Sequence, residues 1–349
     1  MAFYDGLIET LGLTDWCGEA DAGGGGPLTM AELLARANGG GADGEDPATP
    51  LMDTPFPSLD TLHQSCEAIP RTRDVTEMVE QGFLGIKDGL RLVLDPLTEP
   101  LGWLLDASLS GFEATPWFIM IPLLMALTWF AARSVSVLAL VTFSFLFMAM
   151  INHYDEAIQT LSIIFVCTIF CVVLGVPIGI AMSKSNTLQR ISIPILDMLQ
   201  TLPTFVYLIP LIFLFSVTES KLYGIAIILY AIVPVIRLTD LGIRLVDKDV
   251  IEAADAFGMS NWQKLTGVQI PLALPNIMAG INQTIMMSLA MVVIASLVSA
   301  PGLGRLVLRG INNLELGVGL VAGFCIVLLA VLLDRATKAA LGRINSSEQ

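Results

Sequence analysis

Residues 252–271 read Glu-Ala-Ala-Asp-Ala-Phe-Gly-Met-Ser-Asn-Trp-Gln-Lys-Leu-Thr-Gly-Val-Gln-Ile-Pro. The stretch is polar and lies between long apolar segments, yet its punctuation is that of two short helices rather than a formless loop. Asp249 with Glu252 three residues on is a near capping box for a first helix. Gly258 suits the left-handed position that ends it. Ser260 with Gln263 is a second capping-box pattern, and Pro271 is expected to close the unit. A folded helix–turn–helix held at a membrane face implies a partner to press against.

The surrounding chain has the composition of a membrane protein: 54% hydrophobic and 14% charged residues, with mean hydropathy +0.74. Charge is unevenly placed. Residues 1–115 hold 20 Asp and Glu against 5 Lys and Arg, whereas the remainder is nearly balanced. The acidity therefore belongs to a soluble tail, and it argues against a nucleic-acid partner.

Seven apolar stretches contain no Asp, Glu, Lys or Arg: Pro116–Ala132, Ser134–Ile151, Ala157–Ser183, Met198–Val217, Leu222–Ile236, Asn276–Ala300 and Leu316–Leu333. Most approach the roughly 20 residues needed to cross a bilayer as a helix. The fifth is shorter and is expected to run past Arg237, whose long side chain reaches for the interface. Placing the 237–275 loop in the cytoplasm puts ten Lys and Arg inside. Only Lys221, Arg305 and Arg309 then lie in the outer short loops. The positive-inside rule thus favours an outside N-terminus and a cytoplasmic C-terminus. The expected fold class is an all-α polytopic membrane protein of about seven transmembrane helices.

Before the spans, residues 21–60 have linker or disordered composition, rich in Gly, Pro, Asp and Ala. Val79, Phe83, Ile86, Leu90, Val93 and Leu97 recur at steps of three and four, the spacing of an amphipathic helix. Its apolar face lies either on the outer membrane surface or against a soluble partner. The N-terminus has no basic residues ahead of an apolar core, so no cleaved signal peptide is evident. Cys17 and Cys66 sit in the tail, where an oxidising compartment permits a disulfide or leaves two thiols. Cys167 and Cys171, one helical turn apart in an apolar span, read as small hydrophobes. His63 and His153 have no companions that suggest a site.

Ion-coupled carriers generally use ionisable residues inside the membrane, and these seven stretches hold none. No Gly-x-x-x-x-Gly-Lys-Ser/Thr phosphate loop occurs, nor a convincing nucleophile–base pair or metal cluster. A polytopic chain with a folded loop and no engine implies a separate engine. Two polar clusters interrupt the spans. In the first, Gln200, Thr201, Thr204 and Tyr207 fall along roughly one helical face, with Pro203 and Pro210 kinking the helix. The second holds Asn282, Gln283 and Met286. Each cluster either lines a path or joins helices by hydrogen bonds.

At Glu252-Ala253-Ala254, Gly258 and then Val268-x-Ile270-Pro271, the chain resembles the permease subunits of type I ATP-binding-cassette importers. Residues 197–210, 229–245 and 251–311, with Met291–Ser296 and Gly302-Leu303-Gly304, further resemble the glycine betaine/proline betaine (ProW-like) osmoprotectant permeases. The resemblance implies the importer transmembrane-domain fold, in the bacterial inner membrane. It implies a permease homodimer, two copies of an ATPase that uses ATP and Mg, and an extracytoplasmic solute-binding protein. This chain itself is then non-catalytic and binds no cofactor or metal. Glu252, Ala253, Ala254 and Gly258 would form the unit that docks on the ATPase, with Val268, Ile270 and Pro271 completing the motif. The implied cargo is a small quaternary-ammonium or related zwitterion, among them glycine betaine, proline betaine, choline and trimethylamine N-oxide. A permease for another small solute such as an amino acid is the alternative, with an ion-coupled carrier behind it.

The expected domains are an acidic tail over 1–76, an amphipathic interfacial helix over 77–112 and two N-terminal spans over 113–153. The importer core covers 154–338, with the polar loop at 245–275, and a cytoplasmic tail 339–349.

Overall fold

The computed structural model describes residues 56–346, together with Tyr4, Ile8, residues 10–12 and Cys17. The expected disorder over 21–60 therefore falls almost wholly outside the described residues. The chain divides into two compact units, residues 1–89 and 90–349.

In the first unit Cys17 and Cys66 form a disulfide, closing a 49-residue separation. Helix α1, Leu59–Ser65, is capped by Ser58, whose hydroxyl accepts from the Thr61 amide. Helix α2, Thr72–Ala114, starts where the Asp60 carboxylate accepts from the Thr72 amide at 2.9 Å. That backbone hydrogen bond holds the Asp60 carboxyl below its usual range. A carboxyl depressed on folding stabilises the fold above its unfolded pKa, and that support is lost as pH falls through its folded value. Acidification is thus expected to fray the start of α2, read as faster amide exchange over residues 72–75. Asp60→Asn should remove the pH dependence; equal pH profiles for both proteins would refute the assignment.

The second unit continues with α3 (Trp117–Ala132), α4 (Val135–Met150), α5 (Tyr154–Lys184), α6 (Asn186–Thr201), α7 (Thr204–Leu214) and α8 (Ser220–Arg244). It ends with α9 (Lys248–Ala256), α10 (Asn261–Lys264), α11 (Ile270–Ala295), α12 (Leu303–Asn312) and α13 (Leu316–Ser346). All seven apolar stretches are mainly helical, but they do not make seven clear spans. Among the described residues, four segments are long and apolar enough to cross a membrane: Tyr154–Lys184, Ser220–Arg244, Asn261–Val298 and Leu316–Ala340. Two bent pairs, α2 with α3 at 113° and α6 with α7 at 100°, raise the number to six if each is one span. Helix α4 falls short because left-handed residues at Arg133 and Asn152 interrupt the chain on either side of it. Its 16 residues rise about 24 Å, less than the ~30 Å of bilayer hydrocarbon.

Helix α8 extends past Arg237 to Arg244, as its short apolar run required, and is the most buried of the four long spans. It packs against both α5 and α11, which also touch each other. Glycines set these distances. A Cβ on Gly179 of α5 would stand 2.6 Å from Thr239 Cβ and 2.7 Å from the Ile236 carbonyl oxygen of α8. On Gly280 of α11 it would lie 3.0 Å from Val235 Cα. In lipid, such small residues let backbones approach and give packing its main hold. Cys167 and Cys171 are fully buried against α8, facing the carbonyls of Gly224 and Ile228. A second core joins α3, α4 and the start of α5 to α12 and α13 around Phe145, Met148, Leu303 and Leu329.

Candidate functional site

The polar loop folds as a helix–turn–helix. Its first helix, α9, is capped by Asp247, whose carboxylate accepts from the Asp249 amide at 3.0 Å. The capping residue is therefore Asp247 and not Asp249. Val246 is buried and pins the chain one residue earlier, so the helix begins before the Asp249–Glu252 pair comes into play. At the other end Gly258 has φ +72°. Its amide donates to the Asp255 carbonyl, and the Met259 amide to that of Ala254. This pair of bonds is the Schellman closure that a left-handed C′ residue makes. Ser260 and Gln263 form the complete reciprocal capping box of α10. Lys264 reaches back to Asp255 at 2.5 Å, bracing the two helices against each other.

Pro271 does not close the unit. The chain runs on through a π-helical turn, Leu265–Gln269, into α11, where Pro271 occupies the first turn. Proline lacks an amide donor and its ring crowds the carbonyl four residues back. The π turn, in which the Ile270 amide donates to Leu265, opens the register just before it. Val268, Ile270 and Pro271 are half-buried at this junction. Leu265, Ala273 and Ile277 pack with Ile243 of α8, rooting the loop in the spans.

Glu252 and Ala253 are exposed, whereas Ala254 is buried against the chain itself. The Glu252 side chain makes no hydrogen bond or ion pair among the described residues. Phe257 and Trp262, which no capping or motif spacing marks, lie either side of Gly258 and stand 88% and 71% exposed. The elbow thus presents a carboxylate and two aromatic rings to whatever covers it.

The first polar cluster is not one helical face. Leu202 is extended and Pro203 follows it, so α6 ends at Thr201 and α7 starts at Thr204 after the 100° bend. The residue before a proline is pushed out of the helical region, which accounts for a break where a kink was expected. Pro210 sits inside α7. Gln200 and Thr204 are half-buried, Thr201 and Pro203 exposed, and the side chain of Tyr207 lies outside the described residues. Helix α7 packs on α11, which carries the second cluster. There Asn282 donates to Asp334 of α13 at 3.1 Å and so joins two helices. Gln283 is exposed and Met286 half-buried.

Residues 172–345 match the family described as binding-protein-dependent transport system inner membrane component. The glycine betaine/proline betaine transport system permease protein ProW of Escherichia coli (strain K12) is 38% identical over 321 residues, covering 90% of this chain and 86% of that protein. The glycine betaine transport system permease protein OpuAB of Bacillus subtilis (strain 168) is 40% identical over 275 residues, covering 78% and 92%. The chain belongs to this permease family. It is the membrane component of an ATP-binding-cassette import system, and membership implies a partner ATPase and a solute-binding protein. The fold agrees: a chain of the inward-facing MetNI methionine transporter superposes with a TM-score of 0.51 at 20% identity, covering 56% of this permease and 97% of that chain.

Proposed function

We propose that this permease imports small quaternary-ammonium or related zwitterionic solutes of the glycine betaine class. The reading extends to a homodimeric permease driven by two copies of a separate ATPase, which binds the ATP and Mg. The near full-length match to two glycine betaine permeases carries the substrate class. The exposed α9–Gly258–α10 elbow is where the ATPase docks, through Glu252, Ala253, Phe257 and Trp262, while the solute passes elsewhere. The α6–α7 bend and its neighbour α11 supply the passage, with Gln200, Thr204, Gln283 and Met286 as its polar and soft contacts.

In this reading the N-terminus faces outward across the inner membrane, the C-terminus lies in the cytoplasm and α4 counts as a short span. The Lys and Arg distribution supports that orientation. So does the Cys17–Cys66 disulfide, since such bonds persist in oxidising compartments.

The test is uptake of labelled glycine betaine by proteoliposomes holding permease, ATPase and binding protein, with proline betaine, choline, trimethylamine N-oxide and methionine as competitors. Competition by methionine alone would overturn the substrate class. Within the same assay Glu252→Ala probes docking. A hydrogen bond to a charged group contributes ~1.5–3 kcal/mol, so uptake should fall roughly tenfold to a hundredfold. Wild-type uptake in that variant would remove Glu252 from the docking surface.

A further inference from the structure

The charge-free stretches end just short of a polar cluster at the root of the loop. Asp240 of α8 is only 5% exposed, and both its oxygens are used. Oδ2 accepts from Gln189 Nε2 of α6 at 2.6 Å, and Oδ1 from Arg244 Nε at 2.8 Å. Arg244 then reaches across the α5–α6 elbow with both terminal nitrogens. One nitrogen donates to the Met182 carbonyl at 2.7 Å, the other to Asn186 Oδ1 at 2.8 Å. The Met182 carbonyl lies in the last turn of α5 and also accepts from the Ser185 amide at 3.2 Å. On the far side of the loop, Lys184 donates to Gln269 in the π turn.

Entry and exit of the α9–α10 unit are therefore fastened to one stretch of chain, Met182–Gln189. Arg244 stands three residues before Asp247, the cap of α9, so little slack separates the cluster from the elbow. A planar guanidinium forked over a carboxylate, a carbonyl and an amide fixes direction as well as distance. Helix α6 leads from this stretch directly to the bend at Leu202–Pro203.

We propose that Gln189, Asp240 and Arg244 form a transmission bracket that makes the α5–α6 elbow move with the coupling loop and so carries its displacement into α6 and the α6–α7 bend. These are positioning residues; they touch neither solute nor ATPase. The inference rests on the reading that the α9–Gly258–α10 elbow receives motion from the ATPase.

The test replaces the hydrogen bond by a covalent one. Gln189→Cys with Asp240→Cys is reconstituted with the ATPase and binding protein. Uptake, ATP hydrolysis and co-purification of the ATPase are then measured before and after treatment with a short bifunctional methanethiosulfonate. Cys167, Cys171 and Cys325 are buried and Cys17 and Cys66 are already paired; wild-type protein treated in parallel reports any effect of the reagent on these native residues. Before treatment, uptake should fall roughly tenfold, the scale of an ordinary coupling free energy, while the ATPase still co-purifies and hydrolyses ATP. Cross-linking should restore uptake to within about twofold of wild type, because the bracket moves as one body through the cycle. Wild-type uptake before cross-linking, or no recovery after it, overturns the proposal.

Should the double variant not reach the membrane, Gln189→Ala leaves the Arg244–Asp240 pair in place and is read in the same way. Uptake lost at unchanged hydrolysis supports the bracket, and unchanged uptake overturns it. If Gly258→Val keeps full uptake, the coupling reading fails and the bracket with it. If Gly258→Val loses uptake and the bracket variants keep theirs, only the bracket fails.

Discussion

Gly258→Val is expected to abolish solute uptake while the protein reaches the membrane at the wild-type level. Gly258 sits at φ +72°, where an L side chain costs roughly 1–2 kcal/mol and a β-branched one more. A Cβ at this position would meet nothing within 4 Å, so the penalty is conformational and not steric. The helices α9 and α10 are short, 9 and 4 residues, and hold their angle through the Schellman bonds, the capping box and the Asp255–Lys264 pair. Forcing residue 258 out of the left-handed region releases the first of these and swings Glu252 and Phe257 away from Trp262. The spans lie before the Asp247 cap or beyond the π turn and keep their packing, which is why insertion survives. Gly258→Asn is the matched control, since Asn tolerates the left-handed region better than other side chains. It should retain most of the uptake. Equal loss in both variants would point to a need for bare backbone at 258 and against the conformational account.

What the sequence could disclose about this elbow followed the range of the forces that build it. The Ser260–Gln263 box and the Gly258 turn are closed by bonds between residues at most five apart, so their chemistry is written in consecutive letters. The letters alone do not distinguish Asp247 from Asp249 as the cap, because the two are equivalent as side chains. What separates them is burial of Val246, a tertiary fact. The same holds for Pro271. A proline after a polar segment ordinarily stops a helix, and only packing of Leu265, Ala273 and Ile277 against Ile243 makes a π turn worth its poorer geometry.

The bend at Leu202–Pro203 and the missing seventh clear span have a common origin. Counting apolar residues measures how much chain prefers lipid, and does not say where that chain turns. The polar cluster around Asp240 was out of reach for another reason: it draws on α5, α6 and α8, and no single stretch announces it. Gly175 and Gly179, four apart on α5, form a small-residue pattern that is legible in the sequence.

That pattern supports the second large effect. Gly179→Ala is expected to destabilise the permease by about 1–3 kcal/mol, the usual toll of an added methyl in a well-packed interior. The two glycines of the pair are not equivalent. A Cβ at 175 would run into Cγ1 of the buried Val235, a β-branched side chain with one strongly preferred helical rotamer. At 179 it meets the Ile236 carbonyl oxygen at 2.7 Å, and a backbone atom of the central helix moves only if α8 moves. Helix α8 is also gripped by α11, where a Cβ on Gly280 would lie 3.0 Å from Val235 Cα and one on Gly242 of α8 would lie 2.8 Å from Asn276. Displacement by one methyl therefore spreads to both interfaces, and the cost belongs at the upper end of the range. Gly323→Ala on α13 has nothing within 4 Å and is the reference, expected to be neutral or slightly stabilising through better helix propensity. Thermal unfolding of the purified transporter should rank Gly323→Ala at or above wild type, and both Gly175→Ala and Gly179→Ala below it. A Gly179→Ala protein as stable as the Gly323→Ala reference would mean that α5 and α8 do not touch at this point. The close approach that fixes the α5–α6 elbow on α8 would then be lost with it.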